Sequence, residues 1–559
     1  MNITEKLSNE NALKEWITLT NNCENLQKDV LKEILSINKN TEFGKSHNFE
    51  NIKSIEDYRR NVPITEYSDL SEYIDKMANG QKNILFSGRT KFFISTSGTT
   101  GNSKFIPESR KGMDIKNLVL KLRSGFLMNE IVKNCKNSDL VNSLLSKKLK
   151  PFFYSVQTVS HDKTTNGGIS IGFASGKALE TFETNDIIQL AYPKNVNDVK
   201  NTEASIYLSL LFGLIHKNVV LTIANNFNSL IQRFEYCKIH AKELIKDIRM
   251  GSISKKIDLS SNERKIFESL ITPKPERADV LEKIMKKGSE EFIPKNYWSS
   301  LIAGSFWLSG SVGINVDKIK KYFSEDMIYF DFGYGASEGK MTIPHIKDVG
   351  FGTLATFGGF FEFIDLDSNE ILSAWELKEG SEYEIILTTY SGLYRYKIHD
   401  IIKVCGFLGD TPDIEFISKS KEILNISQEK VPASLLSKLL FEFGKKRNID
   451  IIQSQVYPNL DGSYYEIFIE IAKDDPCLDL NIFSKDFDDC LVHNFESYGR
   501  HRELKTIKPL NVYLVKKGYQ NHLYGIEKFK NMVKEQIKLP IMINKRIGDE
   551  WILEQENVN

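Results

Sequence analysis

Apolar residues recur at helical spacing near the start of the chain, where Leu31, Ile34 and Leu35 share one face. Ser54, with Asp57 three residues on, predicts the cap of a short helical turn, and a further helix is predicted from Ser68 to a stop at Gly80. Strand and helix patterns then alternate. Apolar Phe92 to Ile94 reads as a strand, Ser109 to Met128 as a helix, Ala204 to Ile215 as a buried helix, and the β-branched run Val219 to Ile223 as a strand. Such alternation predicts an α/β architecture. From Phe351 strands dominate: Phe360 to Ile364, Tyr383 to Thr389, Leu393 to Val404 and Ile414 to Ile417.

The polar patch Ser418 to Lys421 interrupts this pattern and predicts an interdomain hinge over 418–422, after a large N-terminal domain over 1–417. Beyond it, a strand near Ile423 to Ile426 precedes a helix whose Leu435, Leu436, Leu439, Leu440 and Phe443 form one apolar face. A hairpin turning at Asp461 and Gly462 joins Ile451 to Val456 with Tyr464 to Ile469, and helices flank the strand Leu510 to Leu514. These elements predict a small C-terminal α/β domain over 423–559.

Composition then removes several function classes. The 559 residues carry 74 basic and 74 acidic side chains, so the charge surplus of a nucleic-acid binder is absent and no nucleic acid is expected as a partner. The apolar run Ala204 to Ile215 is well short of the ~20 residues of a membrane span, so no membrane partner is expected. Met1 to Lys32 lacks the apolar core of a signal peptide. The cysteines Cys23, Cys135, Cys237, Cys405, Cys477 and Cys490 show no CxxC spacing and read as reduced thiols. A cytoplasmic monomer is the expectation.

Three segments carry candidate chemistry. Ser95-Thr-Ser-Gly-Thr-Thr-Gly-Asn-Ser-Lys104 follows the strand Phe92 to Ile94 and precedes a helix, and offers backbone N–H groups, hydroxyls and one ammonium to a phosphate. It does not fit the Walker spacing, and a flexible surface turn is the alternative; its place between strand and helix favours phosphate. Asp331-Phe-Gly-Tyr-Gly-Ala-Ser-Glu-Gly339 sets a ring, a hydroxyl and a carboxylate on a loose backbone, groups that purine stacking and Mg²⁺ ligation require. Alone it is more commonly a glycine-rich turn with a solvated Glu. In Gly392 to Val404, alternation places Tyr394, Tyr396, Ile398 and Asp400 on one face if the run is a single strand, ending in a carboxylate able to accept two ribose hydroxyls. An ordinary amphipathic strand is the alternative, and His399, without a partner at metal-ligand spacing, reads as structural.

The joint order goes further than any single segment. A Ser/Thr/Gly loop with Lys, then YGxSEG, then YRxxxxD, followed by a small α/β domain, resembles the ANL adenylating superfamily. Within it the chain resembles the acyl-acid amido synthetases of the Gretchen Hagen, or auxin-responsive, family. Asn38 to Gly44, Asn61 to Ile64, Tyr67, Asp247-Ile-Arg249, Gly251, Gly359 to Ile364, Leu387 to Tyr396, Leu424-Asn425, Glu429-Lys430 and Gln536 to Pro540 extend the likeness over nearly the whole chain.

The resemblance implies an α/β fold with a large N-terminal adenylate-forming domain of mixed sheets and helices, and a small mobile C-terminal α/β domain. It implies ATP and Mg²⁺, a small carboxylic acid such as a benzoate, indole acid or jasmonate-like acid, and an amino acid as acceptor. By matching motifs, Ser97, Gly98, Thr99, Thr100 and Lys104 would meet the phosphates, Tyr334 with Gly335 and Ala336 the adenine, Ser337 the α-phosphate, Glu338 the Mg²⁺ and Asp400 the ribose. Lys538 would neutralise phosphate during adenylation, and Lys430 would face the acceptor. The helix after the first motif and the segment Leu301 to Trp307 are expected at the acyl pocket.

Departures from the family pattern are Lys397 and His399, where Arg and Gly are usual, Ser418-Lys-Ser420 at the hinge, and Gln428 for a common Gly. They keep charge and alter backbone freedom. Two other functions stay open at this point: an adenylating acyl-CoA ligase, and a non-catalytic nucleotide-binding regulatory protein. Substituting Lys104 or Glu338 separates them, because a ligase loses adenylate formation and a mere binder has none to lose.

Overall fold

The computed structural model describes residues 7, 11–95, 104–135, 141–142, 151–156, 163–172, 189–224, 227–309, 319–419, 423–424, 426, 429, 431–473, 478–503, 506–525, 539–543 and 545–553. It is a mixed α/β protein. A five-stranded sheet runs in the order Gln189–Leu190, Phe152–Val156, Val219–Ala224, Ala303–Phe306, Ile328–Asp331, with every pairing parallel. Val219–Ala224 is buried at all its positions, the continuous apolar run expected of a parallel strand covered on both faces. The helix Thr202–Ile215, capped by the Asn201 side chain on Ala204 N–H, packs its apolar surface into the same core.

A seven-stranded antiparallel sheet follows, in the order Thr342–Ile343, Gly352–Leu354, Thr411–Lys419, Tyr396–Leu408, Glu382–Thr389, Gly359–Asp365, Ile371–Ser373. The helix Cys23–Asn38 is fastened to it by Gln27, whose amide donates to Thr356 O and Gly359 O and accepts from Phe361 N–H. A third, four-stranded sheet holds Phe92–Ser95 beside Phe105–Glu108, the strands that bracket the Ser/Thr/Gly loop. Beyond Leu424 lies a separate apolar core, built on the three-stranded sheet Ile451–Asn459, Tyr464–Ile471, Asn511–Leu514 and the helices Ala433–Lys446 and Leu480–Asn494.

Some boundaries differ from the sequence reading. The helix expected from Ser68 spans Tyr67–Ala78 and so begins one residue earlier, because Glu66 and Asp69 cap each other's backbone N–H groups. The run Leu393 to Val404 is not one strand. Gly392 and Arg395 take left-handed φ of 86° and 45°: the chain turns over Thr389 to Leu393, bends again at Arg395, and the strand begins only at Tyr396. Tyr394 therefore does not continue the face of Tyr396. Ser418 and Lys419 end the strand Thr411–Lys419, while residues 420–422 lie outside the described residues. No helix among the described residues is long and apolar enough to cross a membrane.

Candidate active site

Parallel strands place their loops at the carboxyl edge of a sheet, the usual site of ligand binding in α/β folds. Here Ala303–Phe306 runs into Trp307, and Ile328–Asp331 into Phe332, Gly333 and Tyr334. Gly333 has φ of 85°, a turn that swings the chain out of the strand. Asp331 anchors the turn by accepting from Gly333 N–H at 2.6 Å and Leu308 N–H at 2.7 Å. Burial pushes its carboxyl up to about 7, against those two N–H bonds and the Arg123 charge.

Tyr334 leaves the turn buried. Its ring stacks on Phe416 at 5.5 Å between centroids and its hydroxyl donates to Asp400 Oδ2 at 2.7 Å. Burial, then Asp400, hold the phenol well above its ordinary range, so Tyr334 is the donor. Asp400 Oδ1 forms an ion pair with Lys419, whose ammonium also donates to Ile398 O. The second and third motifs thus meet, although 66 residues separate Tyr334 from Asp400.

The segment Gly335 to Lys340 closes on itself: Gly335 and Lys340 form a bridge, and Ala336 N–H donates to Gly339 O at 2.9 Å. Ser337 and Glu338 stand at its tip. Lys116, from the helix Arg110–Asn134, donates to Ser337 O at 3.0 Å and pairs with the buried Glu108. Burial raises the Glu108 carboxyl, with Lys116 opposing the shift. Glu338 is likewise held above the ordinary carboxylate range by burial, with Lys419 the first opposing charge, and has no ion pair among the described residues. Burial pushes the Lys340 ammonium down to about 8, and Lys116 and Arg123 act in the same direction.

Lys104 lies 5.4 Å above the Tyr67 ring. The buried Tyr396 phenol is held above its ordinary range by burial, then by Glu338, then by Tyr67. Ser97, Gly98, Thr99, Thr100, Lys430 and Lys538 lie outside the described residues.

The structure adds residues the motifs did not name. Arg123, one per cent exposed, donates to Asp331 O at 3.0 Å and to Ser305 Oγ, and covers the Phe332 ring at 4.8 Å. Its Nη1 has no hydrogen-bond partner among the described residues. Burial pushes this guanidinium down to about 10. Lys116 and Arg123 are seven residues apart and so share one helix face, a spacing that was available in the sequence. This contact also joins the helix after the first motif to the strand within Leu301 to Trp307.

His399, at φ of 61°, approaches Glu384 with Nδ1 and Glu66 with Nε2, each at 3.1 Å. Lys397 pairs with the other Glu384 oxygen at 3.0 Å. Two of the departures from the family pattern, Lys397 and His399, both in the strand that carries Asp400, therefore share Glu384 as a partner.

Family models described as the GH3 family N-terminal, central and C-terminal domains match residues 12–328, 352–419 and 443–547. Among relatives, the 4-substituted benzoates-glutamate ligase GH3.12 of Arabidopsis thaliana is 28% identical over 76% of this chain and 73% of its own length. The jasmonoyl-L-amino acid synthetase JAR6 of Nicotiana attenuata is 27% identical over 92% of this chain and 90% of its own. A solved structure, the GH3.15 acyl acid amido synthetase, superposes with a TM-score of 0.78 at 22% identity, covering 98% of this chain and 97% of that one, and so shares the fold.

Proposed function

Because the chain belongs to the GH3 family, we propose that it is an ATP-dependent acyl-acid amido synthetase. A carboxylate oxygen of the acid attacks the α-phosphorus of ATP, forming an acyl-adenylate and expelling pyrophosphate. The amine of an amino acid then attacks the acyl carbon, the amide forms, and AMP leaves. Names of the relatives speak of benzoates, jasmonate and indole-3-acetic acid, and acids of that kind are the substrates to try first.

The observation that carries this reading is the meeting of Tyr334 and Asp400 beside the Ser337–Glu338 loop. One ligand with a base, a ribose and a phosphate would need a flat ring, a carboxylate and a polar loop in that order. Tyr334, with Gly335 and Ala336, would line the adenine; Asp400 would accept the ribose hydroxyls; Ser337 would meet the α-phosphate. Glu338, a desolvated carboxylate free of ion pairs among the described residues, fits a cation and would hold Mg²⁺. That ion, when bound, supplies positive charge to the phosphate oxygens. Arg123 offers an unspent N–H to an anion in the acyl pocket. Ser97, Gly98, Thr99, Thr100 and Lys104 would cradle the leaving phosphates, Lys538 would neutralise charge during adenylation, and Lys430 would face the acceptor amino acid.

The test is a mass-spectrometric screen of carboxylic acids against amino acids and CoA, with ATP and Mg²⁺. AMP together with an amide conjugate is expected. AMP with CoA thioesters alone would overturn amide formation, and ADP as product would overturn adenylation.

A further inference from the structure

Tyr67 opens the helix Tyr67–Ala78, and both its hydroxyl and its ring meet the end of the first motif. Phe105 N–H, the backbone donor that follows Lys104, gives its hydrogen bond to the Tyr67 hydroxyl at 3.1 Å. The Lys104 ammonium lies 5.4 Å from the centre of the Tyr67 ring, within the ~6 Å over which a ring face attracts a cation. One side chain thus holds the lysine at both ends, the main chain through its hydroxyl and the ammonium through its ring.

The residues just before Tyr67 are tied to the third motif. Thr65 N–H donates to Arg395 O at 2.9 Å, Lys397 N–H donates to Thr65 O at 2.9 Å, and the buried Thr65 hydroxyl donates to Tyr394 O at 2.8 Å. Glu66 meets His399 Nε2 at 3.1 Å, one residue from Asp400. The segment Thr65 to Tyr67 therefore links the strand that carries Asp400 to the strand Phe105–Glu108 that follows the Ser/Thr/Gly loop.

A ring suits a lysine that has to meet phosphate. A carboxylate in the same place would neutralise the ammonium and compete with the ligand for it, whereas a ring face orients the charge and leaves it uncancelled. No carboxylate pairs with Lys104 among the described residues. Its flexible stem has many rotamers to lose, and fixing them in advance lowers the entropy cost of the contact.

We propose that Tyr67 is a positioning residue for adenylation: it pre-sets Lys104 for the phosphates of ATP, and the segment Thr65 to Tyr67 keeps that lysine in register with Asp400. This rests on the ligase reading above, in which Lys104 meets the leaving phosphates.

The test follows ATP–pyrophosphate exchange by the full-length chain with benzoate, indole-3-acetate and 2,4-DB as acids. Tyr67→Leu removes ring and hydroxyl together and should lower kcat about ten-fold. Tyr67→Phe keeps the ring and should stay within about three-fold of native. Pentafluorophenylalanine incorporated at position 67 fills the same space as the Phe variant but presents a ring face that repels a cation, so it should fall towards the Leu level. A residue that merely fills space would leave those two equal, and that result would overturn the proposal, as would a native kcat in Tyr67→Leu. In a Lys104→Met background Tyr67→Leu should cost less than about two-fold further, because the group it positions is gone. A second ten-fold loss there would mean that Tyr67 acts without Lys104, which also overturns the assignment. Lys104→Met exchanging at the native rate would instead remove Lys104 from the phosphates, and a native chain that exchanges with none of the acids would remove the ligase reading; either takes this assignment with it.

Discussion

The hydroxyl of Tyr334 and the carboxylate of Asp400 are joined by a 2.7 Å hydrogen bond, so the ring proposed for adenine and the acid proposed for ribose are held at a fixed separation before any ligand arrives. Asp400→Asn should raise the ATP KM about ten-fold, because a neutral amide replaces an ionised acceptor, and should leave the acid KM unchanged. Tyr334→Phe keeps the stack on Phe416 and should cost about 1 kcal/mol of stability with a smaller effect on ATP. ATP–pyrophosphate exchange at varied ATP, with thermal unfolding alongside, reads both. An unchanged ATP KM in Asp400→Asn would remove the ribose assignment.

Lys116 has two tasks, neutralising the buried Glu108 and holding Ser337 O. Lys116→Met strands Glu108 without its cation, and breaking such a pair typically costs about 3–5 kcal/mol. The double variant Glu108→Gln with Lys116→Met should regain most of the stability, since no buried charge is left unpaired. Activity should stay low in both, because the contact to the Ser337 carbonyl is gone in both. Chemical denaturation paired with acyl-adenylate formation separates the two tasks; recovery of activity in the double variant would mean the loop does not depend on Lys116.

Arg395 stands in the YRxxxxD signature, yet the structure spends it on architecture. Its Nε donates to Glu362 Oε2 at 2.9 Å, Arg59 holds the other oxygen at 2.9 Å, and Arg395 Nη1 reaches Arg59 O and Val62 O. Arg395→Met should therefore lower the unfolding midpoint, with a cost on the order of 3 kcal/mol, and spare the ATP KM of the protein that remains folded. A selective rise in ATP KM without a stability loss would return Arg395 to the ligand site.

What the sequence made legible was the chemistry clustered in short motifs and the elements with a strong period. The helix Arg110–Asn134, the strand Val219–Ala224 and the hairpin around Gly462 lie where their patterns put them. Alternation failed at Leu393 to Arg395, because one backbone turn at positive φ breaks a period of two and nothing in an apolar run announces it. His399 shows the same limit: it takes a left-handed φ and its ring meets Glu66 and Glu384, partners distant along the chain. Lys340 immediately follows the second motif, but that it turns inward depends on Phe332, Gly335 and Arg123, which only the folded chain brings together.

His216 offers a test of stability against pH away from the active site. Its ring stacks on Phe152 at 3.7 Å between centroids, and burial, with Arg277 and Lys274 adding repulsion, lowers it from 6.5 to about 4. Between these values the unfolded chain binds a proton that the folded chain refuses. The contribution of this site is therefore complete above pH 6.5 and is lost as pH falls towards 4. One proton of difference gives a slope of at most about 1.4 kcal/mol per pH unit, and the partly exposed ring should give less. His216→Phe keeps a ring against Phe152 and cannot titrate, so unfolding midpoints measured from pH 7.5 to 4.5 should fall less steeply for the variant than for the native protein. Parallel profiles would mean that His216 is protonated as readily in the folded chain as in the unfolded one.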